Sequence, residues 1–157
     1  MNILENQSLH MKNVLSYRGK ITQSQINQVM QQIGKDISQF GAEKNGDVAT
    51  VTFAVDTSNG QPLIDIEILV PLSQPVDFKG KYTLKPVFKL DNAVKIRHEG
   101  NPAELQNSVN ELLRYISKNG LTPITQAYNV TITSVSLPHA LNEVVVDVYI
   151  GVSKNIL

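Results

Sequence analysis

Cysteine is absent from this chain of 157 residues, and so is tryptophan. The first absence excludes disulfides, thiolate chemistry and cysteine-ligated zinc, while leaving the compartment open. There is no surplus of charge either, since fourteen basic residues balance fourteen acidic ones. With no overall field to steer it onto phosphate backbones or anionic lipid, the chain is expected to bind neither nucleic acid nor a membrane. No segment approaches the ~18 consecutive apolar residues of a membrane-spanning helix. The N-terminal MNILENQSLH lacks a basic region followed by an apolar run, so no secretion signal is read and a cytoplasmic location is expected.

Catalytic signatures are equally scarce. The chain has no Gly-x-Ser-x-Gly elbow, no phosphate-binding glycine loop and no HExxH pattern, which leaves nucleophilic, nucleotide and zinc chemistry without an anchor. His10, His98 and His139 are not spaced to share a helical face and read as surface or loop histidines. No cofactor, metal or catalytic residue is expected. A hydrolase built on the paired carboxylates Glu67 and Asp147 is conceivable but has no second feature behind it.

What the chain does contain is a repeat. Ile96 to Gly120, IRHEGNPAELQNSVNELLRYISKNG, has a counterpart 79 residues earlier, YRGKITQSQINQVMQQIGKDISQFG, Tyr17 to Gly41. Arg18 falls on Arg97, Ile37 on Ile116 and Gly41 on Gly120. Thr22 and Asn101 share a slot suited to an N-cap, and each is followed three places on by Gln25 or Glu104, the capping-box position. Ile26, Met30, Ile33, Ile37 and Phe40 form one apolar stripe; Leu105, Val109, Leu112 and Ile116 form the other. The glycines then supply a left-handed stop.

Two alternating runs separated by turn residues follow each helix, DVATVTFAV and PLIDIEILV in the first copy, AYNVTITSV and EVVVDVYIGV in the second. They read as hairpins, the second loop three residues longer because the offset grows from 79 to 82. Each copy is therefore strand, helix, strand, strand. The fold expected is α+β: one domain over 1–157, made of tandem modules at about 11–72 and 90–152 joined by a linker at 73–89. Their strands would join into one curved, mostly antiparallel sheet with both helices on one face, since a lone module of ~60 residues is marginal. An extra extended piece is expected near Tyr82 to Phe88.

Strand alternation sorts residues by face. Leu15, Tyr17, Val51, Phe53, Ile64, Ile66 and Ile68 are expected to face the first helix. Val94, Ile96, Val130, Ile132, Val146, Val148 and Ile150 should face the second. The opposite face then carries Arg18, Thr52, Asp65 and Glu67 in one copy and Arg97, Thr131, Asp147 and Tyr149 in the other. These could simply be solvated cross-strand pairs. They could also line a groove where the modules meet. Glu67, matched by Tyr149, would be a carboxylate left over after two Arg/Asp pairs, suited to a cationic or aromatic ligand.

The string IRHEGNPAELQNSVNELLRYISKNGLTP with the later VDVYIGV resembles the GyrI-like small-molecule-binding domain, the effector-binding domain of bacterial multidrug-sensing regulators. The resemblance spans Met11 to Val152 and implies a stand-alone member, because only about ten residues precede the first expected strand. It places Arg97, His98 and Gly100 at the family's strand end and Asp147, Tyr149 and Val152 on its last strand, with Asp147 at the acidic position that meets cationic ligands. Gly151 stands where the family usually has proline. Two functions follow as expectations. In the first, a non-enzymatic domain binds a small molecule through Arg18, Glu67, Arg97, Asp147 and Tyr149, and an open groove with Glu67 exposed would favour it. In the second, an interaction module binds or inhibits a partner protein, and Arg18 and Arg97 closed into salt bridges would favour that.

Overall fold

The computed structural model describes residues 2–132 and 144–155. The second hairpin loop, SLPHALN, and His139 lie outside them. Among the described residues the fold is α+β. The order is β1 (Ile3–Ile21), α1 (Ile26–Gln39), β2 (Ala49–Asp56), β3 (Leu63–Pro71), β4 (Thr83–Gly100), α2 (Leu105–Lys118), β5 (Leu121–Pro123), β6 (Tyr128–Thr131) and β7 (Val144–Lys154). Two compact units result, Met11–Phe88 and Met1–His10 with Lys89–Leu157.

Both helices start and stop as their end residues dictate. Gln25 Oε1 accepts from the Thr22 N–H at 2.9 Å, and Asn101 Oδ1 accepts from the Ala103 N–H at 2.9 Å. Each start is a short 3₁₀ turn, which uses N–H groups that an α-helix would leave unpaired. Gly41 and Gly120 close the helices at φ of 70° and 68°, where a side chain would be strained.

In the first unit β3 lies between β1 and β2, antiparallel to both. Leu15, Ile66, Ile68 and Val70 pack under Ile33 and Ile37 of α1, together with Phe78 and Tyr82 from the segment after β3. In the second unit β7 pairs antiparallel with β4, β5 and β6. Val94, Ile96, Val146, Val148 and Ile150 pack under Leu112 and Ile116 of α2.

Two boundaries differ from expectation. β1 begins at Ile3 rather than near Met11, and its residues to His10 belong to the second unit. There Ile3 packs on the second core, the Tyr115 hydroxyl donates to Glu5, and His10 bonds Asp91 at 2.7 Å. β4 begins at Thr83, inside the expected linker, and its first residues belong to the first unit.

The phase of the strand that follows each helix also differs. Val51 pairs with Glu67 and Thr52 with Ile66, while Val130 pairs with Asp147 and Thr131 with Val146. Directly opposed residues share a face. Val51 and Val130 therefore lie away from the helices, as does Ile132, whose N–H donates to Val145; Thr52 and Thr131 lie on the helix side. Phe53 occupies a bulge between Thr52 and Ala54, and its ring turns under Arg18. Alternation gives a period of two but not its phase, and one residue of slip inverts every assignment. The apolar phase misled because the helix-free face is itself buried in part: Val14, Ala49, Val51 and Leu69 have no exposed surface.

Candidate functional site

The five candidate residues fall into two clusters. Arg18 and Glu67 are in the first unit; Arg97, Asp147 and Tyr149 are in the second. All five lie on the helix-free side of their own strands, by the pairings Arg18 with Glu67, Arg97 with Asp147, and Tyr149 with Lys95 and Tyr128.

Neighbouring positions on β1 and β3 bring Arg18 to Asp65 rather than to Glu67. Its guanidinium forks onto the carboxylate, Nε to Oδ1 at 2.7 Å and Nη2 to Oδ2 at 3.0 Å, while its Cζ lies 3.8 Å from the Phe53 ring centre. The Arg18 hydrogen bonds hold Asp65 below the usual carboxylate range, against an opposing effect of desolvation.

Glu67 is neither left over nor exposed. Only 6% of it is accessible, and its Oε2 accepts from the Ser16 hydroxyl at 2.5 Å and from Lys85 Nζ at 2.6 Å. Neither partner was anticipated. Ser16 lies on β1 two residues before Arg18, on the same face, and alternation alone could have placed it there. Lys85 lies on β4 in the stretch read as linker, and nothing local announces its partner.

The second cluster is closed more tightly. Asp147, 3% exposed, receives Arg97 Nε on Oδ1 at 2.8 Å and Nη2 on Oδ2 at 3.0 Å, with Lys95 Nζ 3.5 Å from Oδ2. These hydrogen bonds, and then the Asp147 charge, raise Arg97 further above its ordinary value. Lys95 also stands 5.6 Å from the Tyr149 ring centre. Burial, and secondly the Asp147 charge, raises the Tyr149 phenol above its usual range, so it stays neutral at ordinary pH.

Two residues near the motif have structural work instead. His98 is buried on the helix side, against the surface position expected. Its Nε2 meets the Asn101 carbonyl at 2.9 Å and its Nδ1 the Ser108 hydroxyl at 2.8 Å. A carbonyl only accepts, so Nε2 donates its proton to Asn101, and Nδ1 is left to pair with the Ser108 hydroxyl. Gly151 donates its N–H to the Thr125 hydroxyl at 2.9 Å, and a Cβ there would meet Leu90 at 2.9 Å. A proline would lose that N–H and bring a Cβ against Leu90, which accounts for glycine at this position.

Two cavities among the described residues lie apart from Glu67. One of about 420 Å³ opens beside α1, lined by Met30, Ile33, Gly34 and Val48 among others. Another of about 350 Å³ is bordered by Arg97, His98, Glu104 and Ser108. Among the described residues, no cluster of His, Asp and Glu could hold a metal ion, and no helix is long and apolar enough to cross a membrane.

No protein-family model matches the chain, and neither does any curated protein. Solved structures do. The crystal structure of the EcmrR C-terminal domain matches with a TM-score of 0.73 and 17% identity over 98% of this chain and 96% of that one. The fold is GyrI-like. EcmrR in complex with DNA matches at a TM-score of 0.72 and 16% identity over 99% of this chain, which spans only 57% of that longer chain. A hydrolase from Listeria innocua matches at 0.57 and 16% identity, over 97% of this chain and 91% of that one. SAV2435 bound to tetraphenylphosphonium matches at 0.50 and 12%, over 97% and 93%. At such identities the likeness is one of fold.

Proposed function

We propose that the chain is a cytoplasmic, non-enzymatic small-molecule-binding protein whose ligand is a compact organic cation with aromatic groups, received at Glu67. One observation carries this reading. Of the three acidic residues on the helix-free faces described above, Asp65 and Asp147 are each held by an arginine fork, whereas Glu67 is held by a lysine and a serine on one oxygen. A guanidinium matches a carboxylate bidentately and is hard to displace; an ammonium is a point charge on a flexible stem. In this reading Arg18, opposite Glu67 on β1 and held on Asp65, borders the site within the first unit, while Arg97, Asp147 and Tyr149 form the corresponding face of the second. Tetraphenylphosphonium on SAV2435 supports a cation of this kind.

Thermal shift and calorimetric titration with tetraphenylphosphonium test it. The native protein should melt higher as the cation is added. Glu67→Gln should weaken binding by about tenfold or more, and Asp147→Asn by much less. A melting temperature unmoved by the cation, with no heat of titration, removes the reading.

A second reading is favoured by the closure of Arg18 on Asp65 and Arg97 on Asp147, together with the burial of Glu67. In it the chain is an interaction module that binds or inhibits a partner protein, and no small cation stabilises it. Under either reading a direct nucleic-acid contact is not proposed, because the charges balance.

A further inference from the structure

We infer that Lys85 is a built-in competitor for Glu67, a tethered cation that fills the carboxylate when no ligand is bound and must leave when one binds. The inference rests on the proposed reading of Glu67 as the cation-receiving group, and it concerns a residue outside the five candidates.

The asymmetry of burial is the starting point. The Glu67 side chain is 9% exposed and the Lys85 side chain 36%. A carboxylate this far from water needs a positive partner or strong donors, since a buried charge stripped of its partner is heavily penalised. Lys85 meets that need from the solvent side. Its Nζ reaches 2.6 Å from Oε2 while a good part of its stem remains in water, so it can swing out into full hydration without moving backbone.

What stays behind makes the exchange feasible. Ser16 donates to the same Oε2 at 2.5 Å, so the departure of Lys85 leaves that oxygen bonded while the incoming cation restores the charge. Val51, fully buried and directly opposite Glu67, gives the carboxylate an apolar neighbour. At Asp147 no such exchange is open, because both oxygens are forked by Arg97 and Lys95 stands by as a second cation.

A tethered competitor lowers the apparent affinity by the fraction of time it occupies the site. It also sets selectivity. A small primary ammonium replaces like with like and gains nothing over Lys85, whereas a bulky aromatic cation adds apolar contact that the lysine lacks.

The test is titration of tetraphenylphosphonium, with methylammonium as the small-cation control, into the native protein, Lys85→Met, Lys85→Arg and Lys85→Met combined with Glu67→Gln. Lys85→Met keeps the stem and removes the charge, and should bind tetraphenylphosphonium about tenfold more tightly or better than the native protein. Lys85→Arg replaces a point charge with a fork and should bind it more weakly than native. The double variant should bind neither cation. Should Lys85→Met not fold, Lys85→Arg carries the test alone. Native binding that depends on Glu67 but is unchanged or weakened in Lys85→Met, or unchanged in Lys85→Arg, overturns the competitor while leaving Glu67 as the receptor. Binding by Lys85→Met alone, lost in the double variant, upholds Lys85 as the occupant of Glu67 while removing the proposed function, since the native protein then binds no cation. No binding by any of the four proteins overturns both.

Discussion

Asn13 and Asn92 hold φ of 53° and 56° inside long strands, a left-handed conformation that few side chains tolerate. They stand 79 residues apart, the spacing of the repeat. Each is tied to the end of its unit's central strand: Asn13 accepts from the Leu72 N–H through its carbonyl, and Asn92 donates its side-chain amide to Val152 at 2.9 Å. Asn13→Gly should therefore be neutral or nearly so, and Asn13→Val should lose about 1–3 kcal/mol in urea denaturation, the usual penalty for a β-branched residue held at positive φ. Leu112 has no exposed surface and fills the centre of the second core. Leu112→Ala should cost about 2–5 kcal/mol by the same measurement, a cost set by how far Ile116, Val94 and Val148 can close the void.

At the scale of elements, the segment after β3 is secured to α1 through one buried carboxylate. Asp36, on the helix, accepts from the Tyr82 hydroxyl, from Gln32 Nε2 at 2.9 Å and from Lys81 Nζ at 3.1 Å. Phe78 stacks edge-on between Phe40 and Tyr82, so the same segment also supplies apolar cover. The Tyr82 hydrogen bond, followed by that of Gln32, holds Asp36 below its ordinary value of 3.8. A carboxyl depressed on folding stabilises the fold above its unfolded pKa, and that contribution is lost as pH falls through the folded value. The melting temperature should accordingly fall more steeply below about pH 4 in the native protein than in Asp36→Asn. Equal acid slopes would mean that this network contributes nothing to the acid response.

For the whole molecule, the consequence to test is that the units do not follow the chain. Residues up to His10 belong with Lys89–Leu157, through Ile3, Glu5 and His10. Deleting residues 2–10 should raise hydrogen exchange in Val146–Ile150 more than in Ile66–Val70, although the deletion lies in the strand that continues into the first unit. The balanced charge bears on the same scale, since it leaves recognition to local pairs rather than to a global field.

The sequence by itself determined the α+β class, the doubled strand-helix-strand-strand order, both helices with their caps and glycine stops, and the Arg97–Asp147 pair. These depend on local signals: a period of 3.6 or 2, a capping residue three places from its partner, a glycine where φ turns positive. Only the tertiary structure decided the phase of β2 and β6, because two buried faces erase the polar-apolar contrast by which phase is read. It alone joined Lys85 to Glu67, since an ammonium on a long stem chooses among several carboxylates by distance, and distance between strands is not written in spacing along the chain.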